Sequence, residues 1–164
     1  MATVKRFEQL LSWQKARALT HFIYQLTKHS SFDRDYGLKN QIQRAAVSAM
    51  ANQAEGFSRG TKIELINYFF IAKGSAGEVQ SLLYAALDQR YITKKEFQKG
   101  YQLAEEVQRL IQTFTDKVKS GALKGLQYKQ GLKKDEWSEF VEEAVKEGLI
   151  TKEDFRKFKE RGLL

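Results

Sequence analysis

Apolar residues recur every three or four positions through most of the first 119 residues, with polar breaks between the runs. That repeat belongs to helices with one buried face. From about Lys5 to His29 the run is Phe7, Leu10, Leu11, Ala18, Phe22 and Leu26, uninterrupted by glycine, and it predicts a first long helix. His29, Ser30 and Ser31, then Asp33 and Asp35 ahead of Gly37, supply turn and N-cap chemistry. Leu38, Ile42, Ala45, Ala49 and Phe57 then resume the period in a second helix.

The chain turns at Ser58-Arg59-Gly60, and Thr61 with Glu64 has the spacing of a capping box that opens a third helix. Its expected packed seam is Ile63, Ile66, Phe70, Gly74, Gly77, Ser81 and Tyr84, ending near Asp88. A second box, Thr93 with Glu96, opens a fourth helix with apolar positions Phe97, Tyr101, Ala104, Val107, Ile111, Phe114 and Val118. Long helices on short links favour antiparallel neighbours, so the expected fold is all-α, an up-and-down antiparallel four-helix bundle over residues 1–119.

The pattern lapses over residues 120–134, where Gly121, Gly125 and Gly131 alternate with lysines, the composition of a linker. Residues 135–164 read as a short helical hairpin: Trp137, Phe140, Val141 and Ala144 on one helix, Gly148 as its stop, Thr151 capping a second with Phe155 and Phe158. So small a unit needs the bundle or a partner to lean on. The echo between Tyr91-Ile92-Thr93 and Leu149-Ile150-Thr151 is explained by shared turn and cap chemistry.

Composition narrows the class. Proline is absent, as long helices prefer, and 164 residues suffice to bury about 70% of the unfolded surface. Without cysteine there are no disulfides or thiolate metal sites. No run reaches the roughly 20 apolar residues that span a bilayer, and no apolar leader precedes Phe7, so a cytoplasmic, membrane-free protein is expected. The net charge of +8 makes polyphosphate partners plausible. That charge sits in residues 1–130, with 20 Lys and Arg against 11 acids, whereas residues 131–164 carry 8 against 9.

Catalytic chemistry finds little support. His21 and His29, the two histidines, are two helical turns apart, about 12 Å by helical rise, too far to share a metal. Arg17 and His21 have three residues between them, fewer than the four to six of one large class of helical ribonucleases, and an i,i+4 contact explains them. Gly74-Ser75-Ala76-Gly77 matches the GxxG loop of KH domains, but those need a sheet. On a helical seam the two glycines instead suit close helix packing. No catalytic residue, metal ligand or cofactor is expected.

The second helix carries a continuous polar stripe. Arg44, Ser48, Asn52, Glu55 and Arg59 fall within an arc of about 80° that borders the apolar face. Three readings stand: a polar network between helices or subunits, a phosphate-binding surface in which Arg44, Arg59, Lys62 and Lys73 meet the anion while Asn52 and Glu55 orient them, or plain solvated surface.

Several ordered blocks carry a resemblance: Phe7, Trp13-Gln14, Leu26-Thr27, Tyr36-Gly37-Leu38, Gln41 through Ala46, Asn52 through Gly56, and Ala72 through Glu78. Over about residues 5–119 the chain resembles the 23S rRNA intervening-sequence proteins. The resemblance implies a four-helix bundle assembled as a ring-like homopentamer, with RNA as the conjectured partner. The chain is also similar to the accessory protein of diversity-generating retroelements, a basic pentameric bundle that binds nucleic acid and a reverse transcriptase without catalysis. The family pattern maps onto Arg44, Asn52, Glu55, Gly56, Gly74 and Glu78. Gln53 stands where an apolar Ile is usual and can join the polar stripe. The tail beyond Ser120 is an addition to the common family form, faintly similar to the SHOCT oligomerisation motif.

The expected function is a non-catalytic homo-oligomeric bundle that binds RNA or a nucleoprotein complex through basic surfaces. The alternative is a protein-interaction scaffold, such as an accessory subunit for a reverse transcriptase, recruiting its partner through the C-terminal hairpin. A helical nuclease is the third reading and lacks the Arg/His spacing.

Overall fold

The computed structural model describes residues 4–121 together with Thr151 and Glu153. The chain divides into two units, Met1–Tyr128 and Lys129–Leu164. Nearly all of the expected linker and hairpin lies outside the described residues. In the first unit a 3-10 turn, Phe7–Gln9, precedes α1 (Leu11–Leu26), α2 (Ser30–Asp33), α3 (Tyr36–Arg59), α4 (Lys62–Asp88) and α5 (Lys94–Lys119).

Side-chain caps set where α3, α4 and α5 start. Asp35 Oδ1 accepts the Leu38 N–H at 3.0 Å, Thr61 Oγ1 that of Glu64 at 3.2 Å, and Thr93 Oγ1 that of Glu96 at 3.2 Å. Each satisfies an amide that the first helical turn leaves unpaired, a gain of about 1 kcal/mol. Only the second predicted box closes both ways, with the Thr93 N–H donating to Glu96 Oε2 at 2.8 Å. At Thr61 the returning carboxylate of Glu64 takes the threonine hydroxyl instead, and its other oxygen pairs with Arg59. Gly60, at φ 79°, ends α3 in the left-handed conformation glycine tolerates best.

The first helix is shorter than its apolar run predicts. Leu10 is extended, with ψ 120°, and the chain before it folds back so that Phe7 meets the Trp13 ring edge-on at 5.0 Å. Phe7 therefore covers the helix end and is no part of its stripe. The Ser30–Asp33 segment, read as a turn, forms one helical turn that buries Phe32 against Tyr91, rings stacked at 5.4 Å.

Contacts between helices define the topology. Thr27 meets Gln43, Thr20 meets the Ala46 carbonyl, and Gln53 reaches towards the Ser12 carbonyl, so α1 and α3 run antiparallel. Gln41 to Glu78 and Ser48 to Ser75 give the same sense for α3 and α4. Gln80 to Gln108 and Lys73 to Gln112 do so for α4 and α5, and Lys15 to Glu106 with His29 to Glu96 close the ring between α1 and α5. The unit is an up-and-down antiparallel four-helix bundle.

Its core is aliphatic and alanine-rich, with Leu19, Ile23, Ile42, Ala46, Ala49, Phe69, Ala76, Val79, Leu83, Val107 and Ile111 fully buried. Of the positions its spacing predicts, α5 buries Ala104, Val107, Ile111 and Val118, leaves Phe97, Tyr101 and Phe114 half-buried, and adds Gly100 and Thr115. α4 does not. Its buried face is Leu65, Phe69, Ala72, Ser75, Ala76, Val79, Leu83 and Ala86. Most of the seam predicted for it points outward: Ile63 is 73% exposed, Tyr84 52% and Phe70 37%, while Ile66 packs partly against the core. The physical reason is that α4 is apolar on both sides, so two stripes step by three and four and periodicity cannot rank them.

The glycines follow the same correction. A Cβ on Gly74 would meet nothing within 4 Å, and one on Gly77 would make an ordinary contact with Gln108, so neither serves close packing within the bundle. The tight crossings are at Gly56, against Tyr68 and Leu65, and at Gly100, where a Cβ would lie 2.9 Å from both Leu83 and Phe22.

Candidate functional site

The polar stripe of α3 lies along its α4 side. Ser48 and Ser75 bring their hydroxyls to 2.8 Å, and Asn52 Nδ2 donates to the Ser48 carbonyl and lies 2.9 Å from its hydroxyl. Small polar groups thus replace apolar packing at this crossing. Glu78 faces the same groove, accepting from Gln41 Nε2 at 3.2 Å. Arg44, Ser48, Glu78, Gly37, Asn40 and Gln41 line an open depression of about 540 Å³ there.

One turn beyond Asn52 the stripe becomes ionic. Arg59 donates to Glu55 at 2.6 Å and to Glu64 at 3.2 Å, and its guanidinium stacks 4.6 Å from the centre of the Tyr68 ring. The Arg59 hydrogen bond, helped by that of the Tyr68 hydroxyl, holds the Glu55 carboxyl below its ordinary range. Two carboxylates on one guanidinium leave no net positive charge at this spot. Arg59, expected to meet phosphate, is committed to joining α3 and α4 across the turn at Gly60.

The four cations expected to share a phosphate surface are not brought together. Arg44 stands exposed near the middle of α3, roughly 22 Å by helical rise from Arg59. Lys62 is at the bundle end, where its ammonium donates to the Lys119 carbonyl at 3.2 Å. Lys73 belongs to the other side of α4: it donates to Gln112 at 2.7 Å and lines a groove of about 670 Å³ with residues of α5, among them Gln108, Arg109 and Glu105. Gln53, expected to join the stripe, is instead fully buried on the α1 side. Its Nε2 donates to the Ala49 carbonyl at 2.8 Å, and its Oε1 has no partner.

The surface that sequence reasoning missed is the outer face of α4. Ile63, Phe70, Ile71 and Gly74 form an apolar stripe along it, with Asn67 and Ser81 between and Tyr84 at its α5 edge. Tyr84 meets Phe97 edge-on at 4.8 Å, and the Lys119 ammonium sits 4.6 Å over the Phe70 ring. The signal that could have found it is the overall apolarity of α4: a helix apolar all round is one buried all round. Among the described residues no three His, Asp or Glu side chains converge as a metal site, and no helix is long and apolar enough to cross a membrane.

Residues 8–113 match the protein family described as 23S rRNA-intervening sequence protein. Among solved structures, the chain is similar to a protein of unknown function from the S23 ribosomal protein family of Bacteroides thetaiotaomicron VPI-5482. The two share 22% identity at a TM-score of 0.61, over 64% of this chain and 98% of the other. At that identity the likeness is one of fold. No curated protein matches the chain.

Proposed function

This chain belongs to the 23S rRNA-intervening sequence protein family, and from that membership we propose that it works without catalysis, as a self-assembling bundle that binds RNA. The observation that carries the reading is the outward apolar stripe of α4. Ile63 and Ile71, 73% and 52% exposed, lie with Gly74 on a helix that already buries its other face. Contiguous exposed apolar surface of this kind marks an interaction site. A second copy is the occupant, because Gly74 leaves room for a neighbouring backbone to approach and nothing in its own bundle uses that room. A ring of five copies is the assembly the family resemblance favours. The Ser48–Asn52 network then holds the α3–α4 crossing that positions the stripe.

RNA is the favoured ligand because the net charge of +8 is concentrated in the bundle, and among the described residues Arg44 has no carboxylate partner within ion-pair distance. Among the described residues Lys62 and Lys73 bond only neutral oxygens and so keep their charge for phosphate. Affinity of this origin falls steeply with salt, because each neutralised phosphate releases counterions. Gel-shift titrations of the full-length protein with structured and single-stranded RNA, at two salt concentrations, test the reading. Binding at low salt that weakens with a linear log–log slope supports it, and no binding to either RNA at low salt removes it. The scaffold alternative, a protein partner recruited through residues 135–164, is favoured instead if truncation after Gln130 abolishes capture of that partner and leaves RNA binding unchanged.

A further inference from the structure

We infer that the outer face shared by α1 and α3 is where a single strand of RNA lies, its phosphates on Arg17, Lys28 and Arg44 and its bases on Tyr24 and Tyr36. The inference rests on the RNA reading above and gives it a place. α1 contains no aspartate or glutamate at all, and the one acid of α3, Glu55, is turned to the α4 side and held by Arg59. Arg17, His21 and Tyr24 follow one another at i, i+4 and i+7 and sit on one exposed side of α1, and exposed Lys28 stands in the turn just past its end. Across the shallow groove between the helices, Tyr24 shares a wall with Arg44, Asn40 and Gln43.

The cations on this face are uncommitted. Arg17, Lys28 and Arg44 have no carboxylate within 4 Å among the described residues, unlike Arg6, Lys15, Lys39 and Arg59 elsewhere. The nearby acids are already occupied: Asp33 pairs with Lys39 at 2.6 Å, Asp35 caps α3, and Glu96 caps α5. No ion pair therefore neutralises Arg17, Lys28 or Arg44 among the described residues, and Glu78, which lines the α3–α4 depression with Arg44, accepts from Gln41. Arg17 and Tyr24 are about 10 Å apart by helical rise, a span of one to two nucleotides of extended strand, with Lys28 beyond them.

The aromatic rings distinguish a single strand from other polyanions. Tyr24 is 42% exposed and Tyr36 70%, and both border this face, the Lys39 ammonium standing 5.7 Å from the centre of the Tyr36 ring. A duplex hides its bases and has no use for them, whereas unstacked bases lie flat on such rings whatever their sequence. An acidic protein segment would use the cations and leave the tyrosines idle.

Fluorescence anisotropy of the full-length protein with a labelled uridine 12-mer, and with a duplex of the same length, separates these outcomes. For the 12-mer, Arg17→Ala combined with Lys28→Ala is expected to weaken binding at least tenfold at low salt. It should also shrink the log–log salt slope by about 1.4, since each single-strand phosphate contributes about 0.7. Tyr24→Ala is expected to cost about tenfold with the slope unchanged, the signature of lost stacking. Circular dichroism and light scattering on each variant check that fold and assembly persist, and Tyr24→Phe, which keeps the ring, should bind as wild type. The inference is overturned if these variants bind the 12-mer like wild type, or if the duplex binds and the 12-mer does not. In both cases RNA binding itself would survive. A wild type that binds neither RNA defeats the underlying reading as well.

Discussion

Gly56 and Tyr68 bring α3 and α4 into contact at backbone distance: a Cβ on residue 56 would lie 2.7 Å from the Tyr68 Cβ and 3.3 Å from the Leu65 carbonyl oxygen. Both obstacles are close to the main chain and cannot swing away. The contact also fixes the ring against which Arg59 stacks, so the ionic end of the stripe depends on it. Gly56→Ala gains up to about 1 kcal/mol of helix propensity but forces the helices apart, at a cost of about 1–3 kcal/mol. A net loss of stability is expected, read as a lower urea midpoint.

Gly74→Ala is the matched control. Its new methyl group meets nothing in the bundle, so the propensity gain of about 0.5–1 kcal/mol should appear undiminished in the folding of the isolated protomer. Under assembling conditions the same methyl intrudes on the α4 surface, and a weaker association measured by dilution is expected to accompany the stabler fold.

Gln53 is buried with an unpartnered Oε1 in a core otherwise filled by leucine, isoleucine and alanine. An unsatisfied buried acceptor costs about 1–3 kcal/mol, and methionine has nearly the same length and shape. Gln53→Met is expected to raise stability by about 1 kcal/mol in urea unfolding, with unchanged circular dichroism.

The Glu96 carboxyl is held below its ordinary value of 4.5, first by the Thr93 backbone N–H and then by the Thr93 hydroxyl, with the His29 charge a smaller contribution. Folding that depresses a carboxyl pKa adds stability that is fully present above the unfolded value and is lost as pH falls through the folded one. Lowering the pH from 7 to 3 should therefore destabilise wild type more than Glu96→Gln, whose amide does not titrate there. Urea midpoints at the two pH values give the comparison.

In α5, where one side is polar, periodicity finds the inner stripe, whereas in α1 Leu11 and Ala18 of the predicted run are exposed. Val107, Ile111 and Val118 are buried in α5 because Glu105, Arg109 and Asp116 leave no competing stripe. In α4, Phe70 and Phe69 are equally apolar neighbours, and only the positions of α3 and α5 decide which goes inside. The stripe from Arg44 to Arg59 was legible as a boundary of the core, since it depends on one helix alone. That Arg59 would gather two carboxylates, and that Lys73 would face α5, depends on how helices are arranged about each other. A single helical wheel carries no such information. Gln53 was misread for a related reason: its polar side chain suggested the stripe, while its angle, between Ala46 and Ala49, belongs to the buried face.

Self-assembly through the outer face of α4 is tested most directly by sedimentation velocity of wild type beside Ile71→Asp, with Ile63→Asp as a second variant. Both side chains are outside the bundle core, so the protomer should stay folded by circular dichroism. Wild type is expected to sediment as an oligomer, near five protomers, and both variants mainly as single protomers. A monomeric wild type, or variants that sediment unchanged as oligomers, would contradict assembly through this face.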